Sequence, residues 1–88
     1  MQFEWDDFKN LTNIAKHGVS FEEAMYAFLD PSRQIRFNAK HSKEEKRFFC
    51  FGKVDERVMT VRFTVRGQKI RIIGAGYWRE GRIIYEQE

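Results

Sequence analysis

The sequence predicts an α+β domain in which an N-terminal strand and two helices pack on one face of an antiparallel sheet of four to five strands, with a short helix at the end of the chain. A length of 88 residues gives room for one hydrophobic core, so we expect residues 1–88 to form a single domain. Hydrophobic residues make up 42% of the chain and nine residues are phenylalanines, which is enough to build that core. Apolar residues recur at helical spacing before Pro31 and alternate with polar residues after it, which predicts helices followed by strands.

The first 18 residues predict a strand and a helix. The segment MQFEW alternates apolar and polar residues, as a short strand does. Asp6 or Asp7 can cap the helix that follows, and Gly18 stands where its left-handed C-terminal cap is expected. Between these caps, apolar residues fall at helical spacing at Phe8, Leu11, Ile14 and Ala15. Lys16 and His17 therefore occupy the last helical turn, where positive charge complements the helix dipole.

A second helix is predicted immediately after Gly18. Ser20 and Glu23 have the spacing of a capping box, and Val19 and Ala24 can form the hydrophobic staple around it. A stripe of apolar residues at helical spacing then predicts the face that packs in the core: Phe21, Ala24, Met25, Phe28 and Leu29. The dipeptide Asp30-Pro31 ends the helix.

The remainder of the chain predicts an antiparallel meander. The strands are RQIRF, RFFCFG and the alternating segment Val58 to Arg66, and the tail YWREGRIIYEQE predicts a short helix. A two-residue Gly67-Gln68 turn then predicts a hairpin with the pairs Arg66–Lys69, Val65–Ile70, Thr64–Arg71, Phe63–Ile72 and Arg62–Ile73.

The predicted hairpin separates apolar from basic residues. We expect the helices to cover the face with Val61, Phe63, Val65, Ile70 and Ile72, and the opposite face to expose Arg62, Thr64, Arg66, Lys69 and Arg71. No acidic residue of the hairpin lies on the basic face, which favours binding to a nucleic-acid backbone over a salt-bridged sheet edge. Tyr77 and Trp78 follow the hairpin and either stack on an unpaired base or join the core.

Several classes of protein are excluded by the composition. No apolar run approaches the roughly 20 residues of a membrane span, and the acidic start MQFEWDDFKN is unlike a secretory signal. We therefore expect a cytoplasmic protein without membrane association. The single cysteine, Cys50, cannot form an internal disulfide and is expected in the core. Two distant histidines are too few for a zinc site, so no metal or cofactor is expected.

Two longer stretches resemble a known family. The string EWDDFKNLTNIAKHGVSFEEA closely resembles the opening of the BrnT family, ribonuclease toxins of bacterial type II toxin-antitoxin systems with a RelE-like fold. Its matching residues are Trp5, Lys9, Asn13, Lys16, His17 and Gly18. The segment EEKRFFCFGKVDERVMTVRFTVRG resembles the strand-turn-strand of the same family. One stretch departs from the family pattern: RIIGAG stands where members commonly show R-I-I-S-A-R, so Gly74 and Gly76 replace a serine and an arginine.

The resemblance implies a mechanism and a set of site residues. RelE-like toxins cleave RNA without a metal by activating a ribose 2'-hydroxyl against the next phosphate, which requires a base, an acid and cations. The implied catalytic residues are Lys16, His17, Arg47, Arg66 and Arg71. The implied RNA contacts are Arg62, Thr64, Lys69, Tyr77 and Arg79, of which Arg79 or Tyr77 can substitute for the arginine absent at position 76.

The resemblance also implies partners and leaves alternatives open. It implies an mRNA substrate and a small BrnA-like ribbon-helix-helix antitoxin, in a dimer-based assembly that includes a toxin homodimer. DNA would be reached only through that antitoxin. One alternative is a catalytically weak or inactive protein that binds its antitoxin and modulates transcriptional repression, which the departures at Gly74 and Gly76 favour. Another is a plain RNA-binding domain without an antitoxin.

Overall fold

The computed structural model describes residues 1–87 as a five-stranded mixed sheet with helices on both faces. The strands are β1 (Gln2–Glu4), β2 (Gln34–Phe37), β3 (Arg47–Val54), β4 (Arg57–Arg66) and β5 (Lys69–Gly76), in the order β1-β5-β4-β3-β2. The helices are α1 (Asp7–His17), α2 (Phe21–Ala24), which continues as a 3-10 helix over Met25–Leu29, and α3 (Arg79–Glu86); a short 3-10 turn spans Ala39–His41. The predicted α+β class and strand number are therefore confirmed.

The prediction of a purely antiparallel sheet is wrong at its first strand. Strand β1 pairs in parallel with β5, with Phe3 opposite Ile70, whereas the other neighbours are antiparallel. The alternation of MQFEW gives a strand but carries no information about a partner that lies more than 60 residues away in sequence. The helices also differ in position: α2 and its 3-10 continuation cover one face, called here the inner face, α3 lies on the other, the outer face, and α1 lies along the edge of β5.

Helix α1 has the predicted caps but not the predicted contacts. The Asp6 carboxylate accepts a hydrogen bond from the Lys9 amide at 3.1 Å, and Gly18 adopts the left-handed conformation with φ of 68°. The apolar stripe is exposed, however, at 77% for Phe8, 64% for Leu11 and 41% for Ile14. The one buried residue of α1 is polar, Asn13, so the prediction that the stripe packs on the sheet is wrong.

The side chain of Asn13 docks α1 on β5. Its Nδ2 donates to the carbonyl oxygens of Val19 at 2.8 Å and Ala75 at 2.9 Å, and its Oδ1 accepts from the Ala75 amide at 3.2 Å. Ala75 lies on the free edge of β5, beyond the end of β1, and pairs with Val61 of β4 on its other side. On the free edge, the Asn13 side chain satisfies the hydrogen-bonding groups of the Ala75 backbone. The adjacent Asn10 accepts from the Phe21 amide at 2.8 Å and so fixes the start of α2.

Helix α2 begins as predicted and then tightens. The capping box is present, since Ser20 Oγ accepts from the Glu23 amide and Glu23 Oε1 accepts from the Ser20 amide, both at 3.0 Å. From Met25 the helix has 3-10 winding, with three residues per turn. The buried residues are accordingly Phe21, Ala24, Ala27 and Phe28. Leu29 is 64% exposed, so its predicted place in the core is wrong.

The core lies between α2, its 3-10 continuation and the inner face. Phe28 is 3% exposed and packs its ring on those of Phe3 and Phe63, with centroid distances of 5.2 and 5.1 Å. Cys50 is fully buried, as predicted, and burial raises the pKa of its thiol to about 12. Of the predicted inner-face residues, Val65 is the exception: it lies near the hairpin end and is 52% exposed.

A β-bulge changes the predicted register of the β4–β5 hairpin. The four pairs from Arg66–Lys69 to Phe63–Ile72 are as predicted, and Gly67 begins the turn with φ of 61°. Beyond them the register shifts by one residue at Ile73, so Arg62 pairs with Gly74 and the predicted Arg62–Ile73 pair is wrong. The extra residue places Gly74 and Gly76 opposite Arg62 and Thr60, all on the outer face.

Helix α3 is held on the outer face by a close contact and a carboxylate. Gly81 lies against Thr60 and Phe51 so closely that a side chain there would collide with both. The Asp30 carboxylate accepts from the Tyr85 hydroxyl at 2.6 Å and from the Lys53 and Ser32 amides at 2.8 and 2.9 Å. Partial burial alone would raise the pKa of Asp30, but these hydrogen bonds outweigh it and hold the pKa below its ordinary value.

Truncation of Phe28 tests the assigned core. Phe28→Ala should lower the free energy of unfolding by about 3 to 5 kcal/mol, the usual cost of removing a buried aromatic side chain. Urea denaturation measures this loss. The matched control is Leu29→Ala, whose side chain is mostly exposed and should cost within about 0.5 kcal/mol. Equal losses at the two positions would contradict the 3-10 winding.

The hydrogen bond from Tyr85 to Asp30 should make stability depend on pH. Because the pKa of Asp30 is lowered on folding, its contribution is present above the ordinary value of 3.8 and is lost as the pH falls through the lower folded pKa. Tyr85→Phe should therefore destabilise the protein at neutral pH, and the difference from wild type should shrink in acid. Urea melts over this pH range measure it, with Tyr26→Phe, at an exposed tyrosine, as the control. A constant difference would rule out the ionised carboxylate as the acceptor.

Candidate functional site

The outer face carries an open cavity between α3 and strands β2, β3 and β4. The volume of this cavity is about 880 Å³. Three arginines from three elements line it, Arg36, Arg62 and Arg79, together with Glu80 and the hydroxyl-bearing Thr60. Aromatic residues of the wall are Phe37, Phe49, Phe51 and Trp78. We call this site the arginine cavity.

Arg62 occupies the space that Gly74 leaves on β5. A β-carbon at position 74 would collide with Nη2 of Arg62 and lie 3.0 Å from its Cζ. The guanidinium therefore rests directly on the backbone of β5. The glycine that departs from the family pattern thus has a physical role, since it admits a cation from the neighbouring strand.

Gly76 provides space for Trp78 in the same way. A β-carbon at position 76 would lie 2.7 Å from the indole ring of Trp78. The indole of Trp78 also contacts the His17 ring at the end of α1. The ring centroids are 5.1 Å apart and the interplanar angle is 77°. Trp78 also lines the arginine cavity, so His17 contacts a residue of the cavity wall without itself lining the cavity. Lys16 is exposed in the same helical turn.

A second group of cations lies toward the hairpin turn and is paired with acids. Arg66 contacts Glu45 at 3.5 Å and Arg71 contacts Glu4 at 3.3 Å. Looser contacts of 4.0 Å join Arg47 to Glu45 and Lys69 to Glu4. All of these side chains are at least 26% exposed, so each pair contributes little to stability and can exchange for a phosphate.

The hairpin itself carries no acid on its basic face, as predicted, but the expectation that its cations lack acidic partners is wrong. Glu4 reaches this face because β1 pairs in parallel with β5, which puts Glu4 opposite Arg71. Glu45 comes from the loop before β3. Neither residue belongs to the hairpin, so the alternation within the hairpin could not reveal them.

Besides Lys69, two of the predicted RNA contacts already have intramolecular partners. Thr64 is 1% exposed and its hydroxyl donates to the Lys46 carbonyl at 2.7 Å, so its predicted exposure is wrong. The ring of Tyr77 is covered by the Arg57 guanidinium at 3.8 Å, and its hydroxyl donates to the Val54 carbonyl at 3.4 Å. Burial raises the pKa of the Tyr77 hydroxyl above its ordinary value. Trp78 and Arg79, by contrast, line the cavity.

The cations of the cavity differ from those near the turn in their electrostatics. Within residues 1–87, no carboxylate lies within 4.0 Å of the guanidinium nitrogens of Arg36, Arg62 or Arg79. Glu80 lines the same space without forming such a pair. The three guanidiniums of the cavity are therefore free of close acidic partners, unlike the cations near the hairpin turn.

Sequence reasoning missed Arg36, Phe49 and Phe51. The alternation of RFFCFG puts Phe49 and Phe51 on the face opposite Cys50, and that of RQIRF puts Arg36 opposite Ile35. Once Cys50 was expected in the core, these three residues had to point to the outer face. The alternation of the strand therefore indicates their position, although the residue type alone favours the core for a phenylalanine.

Other sites find no support in the described part of the chain. Among residues 1–87, no three histidine, cysteine or acidic side chains are grouped as metal ligands would be. None of the helices described for this chain is long and apolar enough to cross a membrane.

An open sheet face with unpaired arginines and accessible aromatic rings is typical of proteins that bind single-stranded nucleic acid. A comparison with family models narrows this class. Residues 5–81 match the family described as "Ribonuclease toxin, BrnT, of type II toxin-antitoxin system". The chain belongs to this family, which confirms the resemblance seen in the sequence and implies an RNA substrate and an antitoxin partner. A search of curated proteins found no match.

Substitution of Gly74 tests the position of Arg62. Gly74→Ser should displace the guanidinium and lower RNA cleavage by about two powers of ten, the scale of losing one group that stabilises the transition state. Stability should change by less than about 1 kcal/mol because the displaced atoms end a flexible side chain. Cleavage assays on Gly74→Ser, Arg62→Ala and the double variant check this. The double variant should be no worse than Arg62→Ala, whereas additive losses would mean that the two residues act separately.

Proposed function

We propose that this chain is a single RelE-like toxin domain that cleaves mRNA internally without a metal and inhibits growth when free of its antitoxin. The observation that carries the proposal is the arrangement at the arginine cavity. The imidazole of His17 packs against Trp78, a residue of the cavity wall, and the unpaired guanidinium of Arg62 lies on the same face of β5. Proton transfer and phosphate stabilisation, the two requirements of RNA cleavage, therefore have candidate groups at one site.

The proposed reaction uses the RNA's own ribose. A base removes the proton of the 2'-hydroxyl, whose oxygen bonds to the adjacent phosphorus while the bond to the 5'-oxygen breaks. The 5'-oxygen takes a proton from an acid, so the products are a 2',3'-cyclic phosphate and a 5'-hydroxyl end. In this proposal, Lys16 and His17 transfer protons or contact the phosphate, and Arg62 and Arg79 stabilise the extra negative charge of the phosphorane.

The paired cations are proposed to hold the RNA on one side of the reaction centre. Arg66 lies four residues from Arg62 along β4, about 13 Å at the usual rise of a strand. Arg47, Lys69 and Arg71 lie on the same part of the face. In our proposal, phosphates of the RNA replace Glu45 and Glu4 as partners of these four residues when the RNA binds.

The proposed partner is a BrnA-like ribbon-helix-helix antitoxin in a dimer-based complex. In this proposal the toxin reaches DNA only through the antitoxin, and it acts in the cytoplasm, where mRNA is available. The alternative of a catalytically weak antitoxin-binding protein rests on Gly74 and Gly76. The positions of Arg62 and Trp78 over these glycines favour the active enzyme, because they supply a cation and an aromatic ring at the same places.

Cleavage in excess chelator tests the mechanism. Purified protein should cut single-stranded RNA equally well with EDTA, because the 2'-hydroxyl is the nucleophile and no metal-bound water is needed. Mapping of the RNA ends should give new 5'-hydroxyls. Activity that disappears with EDTA and returns with magnesium would reject the mechanism. A protein that binds its antitoxin but leaves RNA intact would support the alternative.

Replacement of the pair at the end of α1 tests its catalytic role. The double variant Lys16→Ala, His17→Ala should lose two or more powers of ten in cleavage rate, about the effect of removing an acid-base group. Its stability should fall by at most about 1 to 2 kcal/mol, because both residues are exposed, complement the helix dipole and contribute only the edge contact of His17 with Trp78. Antitoxin binding verifies the fold, and Lys9→Ala on the same helix is the control. Wild-type cleavage by the folded double variant would place the proton transfers elsewhere.

A further inference from the structure

We propose that the arginine cavity is a nucleotide subsite, in which an unpaired RNA base stacks on Phe49 and the adjoining phosphates bind Arg36 and Arg62. This inference rests on the proposed function and adds two residues, Arg36 and Phe49, that the mechanism does not use. Its basis is a row of side chains that crosses the sheet.

The row places one aromatic ring between two cations. Phe49 on β3 pairs with Arg36 on β2 and with Arg62 on β4, so the three residues are direct cross-strand neighbours on the outer face. Neighbouring strands lie about 4.8 Å apart, so one arginine lies on the adjacent strand on each side of the ring. Such an alternation of guanidinium and ring suits a chain that alternates phosphate and base.

The ring of Phe49 is accessible, whereas that of its neighbour is covered. Phe49 stacks with Phe51 at a centroid distance of 5.6 Å and an interplanar angle of 25°. Phe51 is 3% exposed and lies beneath Gly81 of α3, while Phe49 is only partly buried and lines the cavity. Phe49 is therefore the open end of a short aromatic stack, which a base entering the cavity would extend.

Polar groups of the wall also fit a nucleotide. The three arginines provide donors for phosphate oxygens and base acceptors, and Glu80 provides an acceptor for an exocyclic amino group. A volume of about 880 Å³ is large enough for a nucleotide, and the excess of positive charge selects an anionic ligand.

Binding of an uncleavable RNA tests the subsite separately from cleavage. The probe is a fluorescent single-stranded oligoribonucleotide with 2'-O-methyl groups, and a series of probes lacks one base each. Wild-type protein should bind the probe and lose about fivefold or more in affinity when one particular base is removed. Phe49→Leu, which keeps the apolar volume, should weaken binding to the complete probe similarly and should show no further loss at that position.

A second pair of variants tests the phosphate contact. Arg36→Gln should lower the slope of log affinity against log salt by about 0.7, the value for one phosphate of a single strand. Arg33→Gln removes the same charge three residues away, outside the cavity, and should leave the slope unchanged. Since Arg36 is exposed, this comparison holds even if Phe49→Leu is unstable.

The outcomes separate the subsite from the proposed function. Binding with the expected losses but without cleavage of ordinary RNA would support the subsite and reject the nuclease. Cleavage with equal base-removal profiles for wild type and Phe49→Leu, or equal salt slopes for Arg36→Gln and Arg33→Gln, would reject the subsite. Failure of the wild type to bind the RNA probe, or binding only of an acidic peptide that Arg36→Gln abolishes, would also overturn it.

Discussion

The side chain of Asn13 determines where the end of α1 lies. Most helices are held by an apolar stripe, but here the stripe of α1 faces solvent and a single amide forms three hydrogen bonds with Val19 and Ala75. Buried hydrogen bonds are directional, so they fix the rotation and height of the helix relative to β5. His17 lies one helical turn beyond Asn13, and its contact with Trp78 follows from that placement. An amide that completes a strand edge thereby also positions the proposed acid-base pair.

The two faces of the sheet serve different purposes because the helices divide between them. The inner face is covered by α2 and its 3-10 continuation, which bury Phe28 against Phe63. The outer face is covered in part by α3, where Gly81 meets Thr60 and Phe51, and the arginine cavity beside this contact stays open to solvent. A partly covered face gives a cavity with a rigid floor of paired strands. The side chains of that floor are fixed by register, which is the precondition for a site that must hold a flexible RNA chain.

Local signals in the sequence predicted local structure well. The caps at Asp6, Gly18 and Ser20 are as expected, because capping depends on neighbours within four residues. Most failures concern pairing between elements: the parallel pairing of β1, the acids Glu4 and Glu45 beside the hairpin, and the bulge at Ile73. One is local, the 3-10 winding that exposes Leu29. For the site, the resemblance supplied His17 and the arginines, but Phe49 was overlooked because an aromatic residue on a strand is usually core. Alternation alone would have placed it on the outer face.

The two glycines of β5 make neighbouring positions interdependent. Arg62 can lie on β5 only while position 74 has no side chain, and Trp78 can approach His17 only while position 76 has none. A serine at 74 would compete with Arg62 for one volume, and an arginine at 76 would compete with Trp78. The space above each glycine can therefore be filled either by a side chain of β5 itself or by a side chain from another position in the sequence, but not by both. A motif defined along β5 alone undercounts the cations of this protein, because one of them is encoded on the adjacent strand.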